Sequence, residues 1–135
     1  MENSIRAWHF VGKTLRDGSV IPLDGVWLEY NQSLIMCQSG LHASLHPFDA
    51  LTYAPGSTLC RVEMAGERKI QEDKLVCSRR KILARIDFEN QLFKFARKQA
   101  LKVISKWDAP EIVKQYLITG NSSIKSAAWS AARSA

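Results

Sequence analysis

His9, His42, Tyr53 and the acidic pair Glu72-Asp73 are the side chains here that could hold or transform a polar ligand, and they gather around one stretch. Residues 40–66 read GLHASLHPFDALTYAPGSTLCRVEMAG. That string predicts a glycine turn, a helical turn opened by Pro47, a second turn at Pro55-Gly56 and a strand over 59–64. Such a unit sets two polar rings, His42 and Tyr53, beside a sheet edge. His9 falls in mid-strand among apolar neighbours, where an imidazole either satisfies itself by a core hydrogen bond or serves as a group that titrates near neutral pH. Asp49 in this unit and Glu72-Asp73 before a following strand are the candidate acids, and carboxylates at such places commonly form turns.

A second constellation lies further along. Lys94, Lys98, Lys102 and Lys106 recur every four residues with Arg97 beside them. On a helix they form a row of one sign about 18 Å long. Each like-charge pair at that spacing costs a few tenths of a kcal/mol, so the row is either a solvated outer face or a contact for something negative. Phosphates or an acidic protein surface would serve. Gln99 is the one Asn or Gln interleaved with the lysines, so sequence-specific readout is not expected.

Composition narrows the classes. At 135 residues and 46% hydrophobic the chain supports one core of ordinary size. Residues 1–66 hold four Lys/Arg against six Asp/Glu and residues 67–135 hold fifteen against seven, so an acidic partner meets the second half. No apolar run approaches a membrane span, and the start MENSIRAWHF lacks the layout of a signal peptide, which points to the cytoplasm. Cys37, Cys60 and Cys77 are odd in number and widely spaced, as buried free thiols are. A His42–His46 metal pair would need a helix through both, and Pro47 opposes one. There is no G-x-S-x-G elbow and no Gly-rich phosphate loop.

The elements that must position these groups follow from periodicity. Residues 5–12 alternate as a strand, with Ile5, Ala7, His9 and Val11 on one side. Asp17-Gly18 and Asp24-Gly25 bracket 19–23, a hairpin or meander leading into 26–30. Short strands are expected at 34–38, 58–64, 68–71, 74–77 and 81–86, with a short helix near 47–54. At Asp87 the period changes to 3.6, predicting a helix capped there that runs to Trp107 and carries Phe88, Leu92 and Phe95 on its apolar side. Asp108-Ala109-Pro110-Glu111 starts a second helix that halts at Gly120, and Asn121 opens an Ala/Ser-rich third.

Two resemblances add to this. AWHF, GLHAS with P-x-DAL-x-YAPG, L-CRVE-x-GE, EDKL and WDAP-E-V make the chain similar to a family of small proteins of tailed phages and prophages. That resemblance implies a host-facing accessory role. More distantly, residues 7–86 resemble the poly(ADP-ribose) polymerase branch of the ADP-ribosyltransferases. Trp8-His9-Phe10 resembles its His-Gly strand, and Gly40-Leu41-His42-Ala43-Ser44 with Asp49-Ala50-Leu51-Thr52-Tyr53 resembles its tyrosine segment. Asp73 to Cys77 resembles the strand that opens on a catalytic glutamate. By that likeness His9 would hold the ribose of NAD, Tyr53 would stack on nicotinamide and Asp73 or Glu72 would orient the donor. This chain departs from the pattern at Phe10 (for glycine), His42 (for tyrosine) and the aspartate, which is one methylene short.

Together these readings predict an α+β protein. A mostly antiparallel, ADP-ribosyltransferase-like β core (1–86) precedes C-terminal helices (87–135) packed on it in a single domain. The function expected is that of a phage-type binder of a host protein or protein–nucleic acid complex, such as a CRISPR-type defence complex. It would act through Lys94, Arg97, Lys98, Lys102 and Lys106, with no cofactor and no membrane. The alternatives are an NAD-dependent ADP-ribosyltransferase using His9, His42, Tyr53, Asp73 and Glu72, and a structural phage protein self-associating through its Ala-rich tail.

Overall fold

The computed structural model describes residues 3–134. The chain is α+β, and it divides into two compact units that meet between Phe88 and Glu89.

The first unit holds β1 (Ile5–Val11), β2 (Trp27–Glu29), β3 (Leu41–Ala43), α1 (Pro47–Thr52), β4 (Thr58–Ile70) and β5 (Leu75–Asp87). All pairings are antiparallel, in the order β1-β4-β5-β2, with β3 also on β5. The long β4–β5 hairpin is the frame. β5 takes β3 at residues 75–77 and β2 at 79–81 along one edge. Just past β3, Ser44 exchanges two backbone hydrogen bonds with Trp8 on the far edge of β1, at 2.7 and 2.9 Å. The sheet therefore curls back toward its first strand. Inside the curl lie Ala7, Val11, Ala43, Cys60, Val62, Met64, Leu75, Cys77 and Ile82. Burying a side chain such as Met64, which is fully enclosed, contributes about 1.5–3 kcal/mol.

Several local expectations change. Segments 58–64 and 68–71 are one strand, and so are 74–77 and 81–86. Register shifts at Arg61/Val62 and Ala65/Arg68 break the alternation that sequence reading relies on. Residues 34–38 form no strand, only a turn with a bridge between Ile35 and Ser39, and 19–23 form none either. Cys60 and Cys77 are buried as expected, but Cys37 is exposed and has φ 67°. α1 begins at Pro47 with Asp49 in its first turn.

The second unit contains α2 (Glu89–Val103), a 3-10 turn (Ile104–Lys106), α3 (Glu111–Thr119), a 3-10 turn (Ser122–Ile124) and α4 (Lys125–Ser134). Asp87 ends β5 instead of capping α2, and Pro110, not Asp108, stands at the N-cap of α3. α3 closes on Gly120 at φ 67°, a left-handed C-cap that suits glycine. Asn121 accepts from the Ser123 amide at 3.0 Å. Ala109, Val113 and Ala128 form a small core supported by Ile104, Ile112, Tyr116 and Leu117. α2 has no fully buried residue, and Phe95 is exposed, so its apolar stripe is less enclosed than the periodicity suggests. No helix among the described residues is long and apolar enough to cross a membrane.

Candidate functional site

The histidines, the tyrosine and Asp73 are linked by a chain of contacts in the first unit. His42 sits in β3 opposite Val76, and its Nε2 accepts the Cys37 amide at 2.9 Å. An imidazole that accepts at Nε2 is neutral, with its proton on Nδ1. Burial holds its pKa below the ordinary histidine value against a backbone hydrogen bond at Gly40, and Arg16, Arg80 and Lys74 push the same way as burial. The Cys37 carbonyl receives Arg16 Nη1 at 2.9 Å, and its thiol receives the Lys74 ammonium. That ammonium lies 4.6 Å from the centre of the Tyr53 ring, a cation–π contact. The Tyr53 hydroxyl in turn donates to Asp73 Oδ2, which raises its pKa.

Turn chemistry places this group. Gln71 and Lys74 close the β4–β5 connection, so Asp73 stands on a turn two residues ahead of β5, with Glu72 exposed beside it. Gly40 has φ 112°, and a Cβ there would meet Val76 Cγ2 at 2.4 Å and Leu34 Cδ2 at 2.8 Å. Only glycine fits both the conformation and the space that bring β3 onto β5.

His9 faces Cys60 across β1 and β4, on the core side of the sheet. Desolvation holds its pKa well below the histidine range, with Arg80 and His42 adding to the effect. Arg80 was not among the residues singled out from sequence. It pairs with Met64 in the same register in which Ile82 pairs with Val62, so it points into the curl, and it is 7% exposed. Its Nη1 donates to the His42 carbonyl at 2.7 Å, and burial lowers its pKa to about 10. Its signal in the sequence was the two-residue spacing from Ile82. His9, His42, Tyr53 and Asp73 thus share one neighbourhood, with Arg80, Lys74 and Cys37 as added members. Among the described residues no three His, Cys, Asp or Glu side chains cluster to hold a metal ion.

The basic row lies in the second unit. Lys94, Lys98 and Lys102 are exposed along α2, and Lys106 is exposed in the 3-10 turn where the four-residue spacing tightens. Arg97 is set apart from them. It is half-buried, its guanidinium lies where a Cβ on Gly120 would be, 2.2 Å from Nη1, and its buried Nε has no hydrogen-bond partner among the described residues. A cation there faces the C-terminal end of α3, which favours positive charge. Beside it runs an apolar groove of about 410 Å³ lined in part by Phe93, Tyr116, Leu117, Lys125 and Trp129.

Residues 5–94 match a family described as a domain of unknown function, DUF7666. The chain belongs to that family. The DUF7666 match takes in all five strands and the start of α2 as far as Lys94, while Lys98, Lys102 and Lys106 lie beyond it. No curated protein and no solved structure matches the chain.

Proposed function

We propose that the protein is a phage-type accessory binder that occupies a host protein or protein–nucleic acid complex through the basic face of its helical unit. The observation that carries this is the row of exposed lysines along α2 and the 3-10 turn that follows it. Among the described residues, none of Lys94, Lys98, Lys102 and Lys106 has a carboxylate in an ion pair. Residues 89–135 hold eight Lys/Arg against three Asp/Glu, whereas residues 1–88 hold eleven against ten, so nearly all the excess charge sits in the helical unit. Unpaired like charges at i,i+4 repel, and an anionic surface laid along them converts that repulsion into attraction. The reading needs no cofactor.

The test is capture from host extract. The Lys98→Glu, Lys102→Glu variant should keep its melting temperature, because both side chains are exposed, and lose its partner. Capture equal to that of the native protein would remove the proposal. Nuclease treatment of the extract then separates a nucleic-acid-bearing partner from an acidic protein.

A second reading has its own support in the shared neighbourhood of His9, His42, Tyr53 and Asp73. There the protein would transfer ADP-ribose from NAD onto a host target, with His9 holding ribose, Tyr53 stacking on nicotinamide and Asp73 or Glu72 orienting the donor. Lys74 already lies over the Tyr53 ring and Asp73 already takes its hydroxyl, so NAD would have to displace Lys74 or use the opposite ring face. Label transferred from labelled NAD to a lysate protein would support this reading, and its absence would end it.

A further inference from the structure

We infer that Arg80, with His9 beside it and held by the His42 carbonyl, forms a binding site for a phosphate group inside the curl of the sheet, a site that rests on neither reading above. Arg80 lacks a counter-charge among the described residues. Arg80 is 7% exposed, and no carboxylate pairs with it among the described residues. Its one hydrogen bond there is to a neutral acceptor, the His42 carbonyl, at 2.7 Å. A guanidinium taken out of water without an anion is costly, and proteins ordinarily bury one only against a carboxylate or a phosphate.

The groups around it cannot serve as that anion. His9 and His42 are neutral at pH 7 or, if protonated, positive, and the buried Cys60 thiol is held in its neutral form by desolvation. Arg85 beside Cys60 is already bonded to Asp24 at 2.7 Å. Beyond His42 stand two more cations, Arg16 and Lys74. The nearest acid of that group, Asp73, is engaged by the Tyr53 hydroxyl. The described groups around Arg80 are therefore neutral, positive or already paired.

The chemistry selects phosphate. A guanidinium presents a planar fork that matches two phosphate oxygens, and the His9 imidazole N–H supplies a further donor, whereas the His42 ring is already engaged by the Cys37 amide and the Gly40 backbone. His9 and His42 each keep part of their residue surface exposed. The phosphate could be free or carried on a nucleotide, and the donors are the same for both.

The experiment compares thermal unfolding of the full chain in phosphate-free buffer with added inorganic phosphate or ADP, at ionic strength matched with NaCl. Ligand at ten times its Kd raises the folding constant about eleven-fold. The native protein should show a saturable rise, and Arg80→Met should show none. Because Arg80→Met also strips the His42 carbonyl of its partner and risks misfolding, the histidine ring resonances of the native protein are followed in the same titrations. Those of His9 and His42 should move saturably while that of the exposed His46 stays put. A response to phosphate supports a site for the free ion, and a response to ADP alone supports a nucleotide site. Silence toward both, or an equal response to NaCl, overturns the inference.

Discussion

The interior histidines make stability depend on pH in a way that can be worked out. His9 is held neutral in the fold by desolvation, with Arg80 and His42 adding to the effect, and His42 is shifted in the same direction. In the unfolded chain both rings return to a pKa of about 6.5. Between the folded and unfolded values the unfolded chain binds more protons, so stability rises with pH there and is lost as pH falls below about 6.5. With a folded pKa far below the range examined, His9 alone lowers stability by up to about 1.4 kcal/mol between pH 7.5 and 5.5. That is a measurable share of the roughly 5–15 kcal/mol a domain possesses. Asp17 and Glu63, depressed mainly by hydrogen bonds from Ser19 and Ser4, lose their contributions only at lower pH, so the two windows separate. Urea unfolding at half-unit pH steps in phosphate-free buffer reads the slope. His9→Gln, which cannot titrate, should remove most of it. A flat profile down to pH 5.5, or a slope unchanged in His9→Gln, would refute the reasoning.

Other outcomes follow from single contacts. Gly40→Ala should destabilise the protein by about 2 kcal/mol or more in urea unfolding, since the new Cβ meets two side chains from a left-handed backbone. A cost under about 0.5 kcal/mol would show that β3 is not pinned as described. Tyr53→Phe removes the donor to Asp73 at an exposed site, so the melting temperature should move by no more than a degree or two, while any NAD-dependent labelling should survive through the retained ring. Gly120→Ala should displace the Arg97 guanidinium and cost about 1 kcal/mol through the left-handed cap.

Much of the fold was legible because local chemistry and tertiary structure agree. The alternation of Ile5, Ala7, His9 and Val11 gives β1, Pro47 opens α1, and Gly120 closes α3. The long hairpin was not, because Gly66 and Leu83 fall at irregularities in the β4–β5 pairing and interrupt the two-residue period. Asp87 looked like a helix cap because aspartate suits that position, yet pairing with Thr58 keeps it in β5. The site was half legible. Polar rings among apolar residues flagged His9, His42 and Tyr53, whereas Arg80 was not singled out, because adjacent arginines carry no local mark of which one points inward. Cys37 joined the group only through a turn whose φ of 67° no sequence pattern announced.

The salt dependence of binding to a generic nucleic-acid duplex tests most directly whether the lysine row is the contact face. If all four lysines contact phosphates, the logarithmic slope is about −3.6, and affinity falls about 150-fold between 50 and 200 mM salt. In Lys98→Gln, Lys102→Gln the slope should drop to about −1.8 and the loss to about 12-fold. An unaltered slope in that variant would contradict the account.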